Sequence, residues 1–358
     1  MIIIGLKISK RKVLYIGGGL LVALLLKRFY YPVKYFLFRP EAEPVLVRRP
    51  PKFSTKDKKN LVGVVKGSNI QEMVEESLEL IGGIEQFGVN GKEVLVKPNV
   101  NSDDPHPATT NPEVIKAVVN LLYKSGAEKV KVGDMSNPSY IPTIKTMEKL
   151  GIKEAAEEAG AEVISFDDDE WLAVSPDRAD YLLEFLISRT VYEAEKIVSV
   201  PVIKTHSIAT YTMSLKNFVG VIHPNSRARL HRSDDIEEMI AEINLAVHPD
   251  FIIMDGTKSM IAGGPMKGSV RDTNLILASA DRVAMDLVGL GIVKSFGEWP
   301  RVSDIGVWDQ RQIRRAVELN LGATSSDDFE LVWKTLNPRD SDDLDRLMET
   351  VSDYIYEV

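Results

Sequence analysis

Cysteine is absent from all 358 residues. That excludes disulfides, a thiolate nucleophile and any zinc or iron–sulfur centre ligated by cysteines of this chain. It leaves the redox compartment open, because a cysteine-free protein tolerates either environment. A surplus of positive charge is also missing: 44 Lys and Arg against 52 Asp and Glu give a net charge of −8. Phosphate neutralisation needs a basic face, so a general nucleic-acid binder is excluded. The chain has no internal repeat, and no H-E-x-x-H, G-x-S-x-G, G-x-x-x-x-G-K-[ST] or G-x-G-x-x-G pattern identifies a reaction. Long apolar runs are scarce too. Val13 to Leu26 forms the clearest uncharged one.

That run lies between Lys10-Arg11-Lys12 and Lys27-Arg28, with Phe29, Tyr30 and Tyr31 following. It is shorter than the roughly 20 residues of an unaided bilayer span. Snorkelling cations and interfacial aromatics extend its reach. The h-region length also suits a secretory signal, but no A-x-A-like cleavage site follows. The reading is an uncleaved membrane anchor over residues 1–38. Basic residues on both sides leave its orientation open. Residues 39–59, rich in proline and charge and without a periodic apolar face, read as a semi-extended tether.

What remains is ordinary globular sequence, 44% hydrophobic and 27% charged overall. Residues 60–338 alternate short apolar runs with helical patterns. Strands are expected from about 61, 93, 129, 196, 251 and 273. A helix follows "TTNPEV", where Thr110 or Asn111 caps, Pro112 opens the first turn and Gly126 closes. Such alternation implies an α/β fold: mainly parallel sheet covered by helices on both faces, preceded by the membrane-anchor helix. "DDDEWLAVSPDRADYLLEFLISRTVYEA" interrupts the alternation as a lid or small subdomain. Residues 339–358 carry an apolar helical stripe through Leu344, Leu347, Met348, Val351, Tyr354 and Ile355.

In open α/β sheets, ligands bind beyond the carboxyl ends of the strands. Those ends here carry Lys97 and Asn99, Asp134, then Lys204, Thr205 and His206, then Asp255 with Gly256, and Asp281. Lys216 and Asn217 follow closely after His206, and the stretch from 214 to 235 adds His223, Arg227, His231 and Arg232 in what reads as an irregular segment. A lysine at the tip of a buried strand needs a counter-charge or a ligand. Clustered cations and histidines suit carboxylate or phosphate clamping. Each residue also has a plainer reading. Asp134 and Asp281 precede helices and suit caps; Asp255-Gly256 suits a turn; the basic stretch suits a solvated loop balanced by Asp234 and Asp235. "GTKSMIAGGPMKGS" loosely resembles a phosphate cradle, and Asp104 with His106 has weak metal-ligand character.

The segments "VLVKPNVN" with "TTNPEV", "VPVIKTHSIATYTMSLKNFVGVI", "IIMDG" and "LASADRVAMD" resemble the domain of unknown function 362 family over most of residues 61–295. The K-T-H…T-x-S-x-K-N-F-x-G signature is the most specific part. Carried over by position, the motif residues are Lys97, Pro98, Asn99, Lys204, Thr205, His206, Lys216, Asn217, Gly220, Asp255, Gly256, Asp281 and Asp286. Many relatives carry a ferredoxin-like cysteine cluster, which implies redox-linked roles for them. This chain has none, so no iron–sulfur cluster is expected in it.

The expected site therefore holds a small anion with Lys97, Lys204 and Lys216, oriented by Asn99, Asn217 and Thr205, with His231 and Arg232 adding contacts. In an enzyme, His206 is the general acid–base, and Asp134 or Asp255, the latter counted with it as catalytic, orients it or helps hold a divalent cation. A divalent metal held by Asp134, Asp255 and His206 is the weaker cofactor expectation. From a different class, the alternative is a non-catalytic accessory module serving a redox partner protein at the membrane. An orienting carboxylate behind His206 would favour catalysis, and a cavity lined by lysines would favour binding.

Overall fold

The computed structural model describes residues 40–45, 60–137 and 142–356. The anchor expected over residues 1–38 and most of the tether lie outside the described residues. Among those described, no helix is long and apolar enough to cross a membrane.

The main sheet has strands β1 (Asn60–Lys66), β2 (Glu93–Pro98), β3 (Lys129–Asp134), β4 (Glu162–Ser165), β5 (Lys196–Val200), β6 (Val202–His206), β7 (Thr210–Thr212), β8 (Phe251–Gly263), β9 (Gly268–Arg271), β10 (Leu275–Ser279) and β11 (Phe329–Thr335). Its principal path runs β11-β1-β10-β8-β5-β2-β3-β4. Pairings along it are parallel, except that β10 runs against both its neighbours. The result is a mixed α/β fold with a large, mostly parallel sheet flanked by helices.

Alternation along the strands divides the interior in two. Leu95, Ile252, Met254, Leu275 and Leu277 enter one apolar cluster, while their neighbours Val94, Val96, Phe251, Ile253, Ile276 and Ala278 enter another. Both faces of these strands are buried, which is why they read as continuous apolar runs. Helices α1 (Ile70–Glu79) and α2 (Pro112–Lys124) cover the second cluster. Asn111 caps α2 by accepting from Glu113 N at 3.0 Å, and Pro112 occupies its first turn. The first cluster is covered by α3 (Ser214–Asn217), α4 (Pro224–His231), α5 (Ile236–Ile243), α6 (Arg282–Ser295), α7 (Arg311–Glu318) and α8 (Ser341–Tyr356). In α8 the residues Leu344, Met348, Val351 and Ile355 are buried.

Three features depart from the sequence expectation. The run from 196 to 206 is two strands broken at Pro201, which has no N–H to give a ladder. β6 continues beside β8 and folds back on β7. The interrupting segment is no free lid. Trp171–Val174 and Phe185–Ser188 form a small sheet with Glu43–Val45, and Trp171, Leu172, Phe185 and Ile187 pack into the first apolar cluster. Glu43–Val45 comes from the stretch expected as tether. Finally, the glycine-rich segment after Gly256 is no phosphate cradle but the β8–β9 hairpin, whose turn uses Gly263 and Gly264 at φ of 84° and 77°.

Candidate anion-binding site

Three strand ends and one short helix assemble the site. Lys97, at the end of β2, has all three ammonium hydrogens engaged: Asp134 Oδ1 at 2.7 Å, Pro98 O at 2.8 Å and Asn217 Oδ1 at 3.4 Å. Asp134 also accepts from Val100 N and Met135 N at 2.7 and 2.8 Å. Burial lowers the Lys97 pKa and raises that of Asp134, each opposed by the charge of the other. A Cβ on Gly220 would stand 2.3 Å from Asp134 Oδ1 and 2.8 Å from Lys97 Nζ, so this position has room for glycine alone. Lys97 is thus half of an internal ion pair. With no hydrogen left to donate, it does not hold the anion as expected.

Asn217 bridges this pair to the sheet. Its Nδ2 donates to Lys97 O at 3.1 Å and Ser199 Oγ at 3.0 Å, and its Oδ1 accepts from Asn99 Nδ2 at 3.3 Å. Asn99 in turn accepts from Lys204 Nζ at 2.7 Å. Asn99 and Asn217 are brought together, as positioning groups. Sequence reasoning missed Ser199 and Thr110, whose hydroxyl receives Asn99 N at 2.8 Å and donates to Val200 O at 2.8 Å. The signal for Ser199 was a lone hydroxyl inside the apolar run "KIVSV".

Lys204 and His206 share one face of β6, because side chains alternate along a strand. Across the β6–β7 pairing, Thr212 stands opposite Lys204 and Thr210 opposite His206. Thr210 holds φ at 60°, a strained value for a β-branched residue. Thr205 falls on the other face, opposite Tyr211, away from Lys204 and His206. Lys204 Nζ also donates to Ala108 O, leaving one hydrogen free. Thr212 Oγ1 is buried without a hydrogen-bond partner among the described residues.

Lys216 sits in α3. The Asp286 carboxylate of α6 fixes the start of that helix by accepting from Ser214 N at 2.6 Å and Leu215 N at 3.0 Å. Lys216 is 8% exposed, and among the described residues its ammonium has neither a hydrogen bond nor a carboxylate partner. Burial, reinforced by the Arg227 charge, pushes its pKa down to about 7. Burial and then the Lys216 charge bring Lys204 down to about 7 as well. Arg227 itself is spent on backbone, donating to Val219 O at 2.7 Å, Ser136 O at 3.0 Å and Met135 O at 2.6 Å.

His206 Nδ1 accepts two backbone hydrogens, from Ile208 N and Ala209 N, each at 3.1 Å. Its ring proton therefore resides on Nε2, which has no partner among the described residues. Burial, then the Lys216 and Lys204 charges, hold its pKa well below the histidine range. In this tautomer the ring offers an N–H donor at Nε2, and among the described residues no carboxylate orients it. Asp255 lies elsewhere: it accepts from Asn111 N at 2.8 Å and Thr257 Oγ1 at 2.7 Å, and its Oδ2 lies 3.4 Å from Nδ1 of His106. Asp255 therefore anchors the loop between β2 and α2 and does not orient His206.

With Asp134 and Asp255 committed separately, the expected metal trio does not form, and no group of three or more metal-ligating side chains occurs among the described residues. His231 and Arg232 end α4 and are exposed. His231 donates from Nδ1 to Arg227 O at 2.8 Å, and desolvation of its ring followed by the Lys216 charge lowers its pKa. Among the described residues, no hydrogen bond ties the Arg232 side chain to the site. Asp281 caps α6, accepting from Val283 N and Ala284 N at 2.9 Å each, in keeping with its plainer reading.

A family model described as Domain of unknown function (DUF362) matches residues 94–291, more than half of the chain. The chain belongs to this family. All the groups just described, from Lys97 to Asp286, fall inside the DUF362 match. A thylakoid-associated protein of Synechocystis sp. is 29% identical over 218 residues, covering 59% of this chain and 66% of that protein's length. Among solved structures, a lactate racemase apoprotein from Thermoanaerobacterium thermosaccharolyticum is similar with a TM-score of 0.40 at 9% identity, covering 82% of this chain and 90% of the other. A structural-genomics protein from Thermotoga maritima gives 0.35 at 13% identity, covering 53% and 51%. Similarities this weak carry no argument about ligand or reaction for this DUF362 protein.

Proposed function

We propose that this protein binds a small carboxylate- or phosphate-bearing molecule in the crevice between β6, β7 and α3, and that residues 13–26 attach it to a membrane. The observation that carries the ligand reading is Lys216: a buried ammonium beside Lys204 with no carboxylate to neutralise it. Two adjacent lysines lose hydration and repel each other, so packing alone gives little reason to place them there. A bound anion turns that repulsion into charge-assisted hydrogen bonds. Nε2–H of His206 and the Thr212 hydroxyl, both without partners among the described residues, are also donors, which suits an acceptor-rich ligand. The lack of a carboxylate behind His206 favours binding over proton abstraction. Membrane attachment is supported by the flanked apolar run and by the thylakoid association of the Synechocystis relative.

Calorimetric titration of the full chain in detergent with phosphate, oxalate and acetate tests the ligand reading. Binding of at least one anion is expected, with loss of that binding in Lys216→Met and Lys204→Met and no loss of thermal stability. Undiminished anion binding in both variants would sink the reading.

A further inference from the structure

We propose that Lys216 is a nucleophilic amine, and that the crevice takes a small aldehyde or ketone carrying a carboxylate or phosphate and joins its carbonyl carbon to Lys216 as an imine. This rests on the anion-site reading and goes a step beyond it.

The three lysines of the site differ in what their nitrogens already do. Lys97 is locked to Asp134, and Lys204 is turned toward Asn99 and Ala108, to which it donates two hydrogens. Lys216 alone among these three is held without a partner, on a turn whose start is pinned by Asp286. Asp134 and Asp286 are spent on Lys97 and on backbone N–H groups, and the titratable and charged groups coupled to Lys216 are Lys204, His206, Arg227 and His231. None is an anion that would keep its proton in place. Burial and the Arg227 charge leave much of Lys216 as the free amine near pH 7, which is the form that attacks a carbonyl.

The step balances without a co-reactant. The Lys216 nitrogen lone pair forms a C–N bond as the carbonyl π bond breaks toward oxygen, giving a carbinolamine. The two amine hydrogens then depart with that oxygen as one water, and a C=N bond remains. Nothing is oxidised or reduced. The Nε2–H of His206 and the Thr212 hydroxyl are the unpaired donors available to the carbonyl oxygen, and the free hydrogen on Lys204 is available to the ligand's anionic group. This division uses every unpaired donor named above.

The test is reductive trapping. The full chain is incubated with glyoxylate and sodium cyanoborohydride at pH 7.5, and the labelled lysines are located by peptide mapping. A carboxymethyl group on Lys216, formed more than about tenfold faster than on exposed Lys258, is expected, because an amine titrating near 7 is far more deprotonated than an ordinary lysine. Oxalate, an anion without an electrophilic carbonyl, should slow the labelling. Lys216→Arg should abolish it while keeping a cation in the crevice. If oxalate binds calorimetrically but Lys216 is labelled no faster than Lys258, the imine is overturned and the anion site stands. If oxalate, phosphate and acetate all fail to bind and Lys216 is not labelled preferentially, both fall.

Discussion

The Lys97 ammonium and the Asp134 carboxylate meet at 2.7 Å at the ends of adjacent parallel strands, with side chains only 1% and 3% exposed. Removing one partner leaves a buried, uncompensated charge. Lys97→Met or Asp134→Leu alone is therefore expected to cost about 3–5 kcal/mol in urea denaturation, and the double variant much less than the sum. Gly220→Ala should destabilise by about 1–3 kcal/mol, because its new methyl collides with the pair. A stable Lys97→Met single variant would show that the lysine is not held by Asp134.

Lys216 predicts two pH slopes of opposite sign. Its folded pKa, about 7, lies below the unfolded lysine value. Between those limits the unfolded chain binds more protons, so its contribution makes stability rise from about pH 7 toward about pH 10. Anion affinity depends on the protonated amine and should fall over the start of the same window. Lys216→Met should flatten the stability slope relative to wild type, while its anion binding is lost at every pH. Parallel stability slopes in wild type and variant would contradict the assignment.

Asp286 holds the start of α3, the short helix that carries Lys216. Burial raises its carboxyl to about 8. Since this folded pKa lies above the unfolded one, the folded state holds the extra proton, and the Asp286 contribution to stability falls as pH rises from about 4 to about 8. Asp286→Asn should remove that slope while keeping one acceptor for α3. Asp286→Ala should cost about 1–3 kcal/mol, because two buried N–H groups lose their partner. It should also weaken anion binding, a readout that a purely structural cap distant from the site would not move.

The parallel strands were legible because burial on both faces turns them into short apolar runs separated by helical periods. The two lysines of the crevice were legible because β6 ends in polar residues where an apolar run had been. Their partners were not. Spacing places Asp134 at a strand end, correctly, and Asp255 at another, although β8 runs on to Gly263; whether a carboxylate faces Lys97, His106 or His206 depends on register and strand order. Thr205 was misplaced for a simpler reason: period-two alternation sends it away from its neighbours Lys204 and His206. The stretch after Ser214 looked irregular because its turns are short, and the Asp286 cap that stabilises the first of them lies 72 residues further on.

Glu43–Val45 separates two truncations that the sequence would treat alike. These residues pair in parallel with Trp171–Val174, and Val45 packs against the first apolar cluster. A chain beginning at residue 39 should leave the membrane fraction and keep the wild-type melting temperature. A chain beginning at residue 60 uncovers the Trp171–Val174 edge and loses the Glu43–Arg189 contact at 3.1 Å. That ion pair is exposed and contributes little, so the cost comes from the lost ladder and the uncovered apolar contact, about 1–2 kcal/mol. In a domain of this size the melting temperature should drop by a few degrees. Equal melting of the two truncated chains would mean that the added strand contributes no stability, and continued membrane fractionation of the longer one would place the attachment outside residues 1–38.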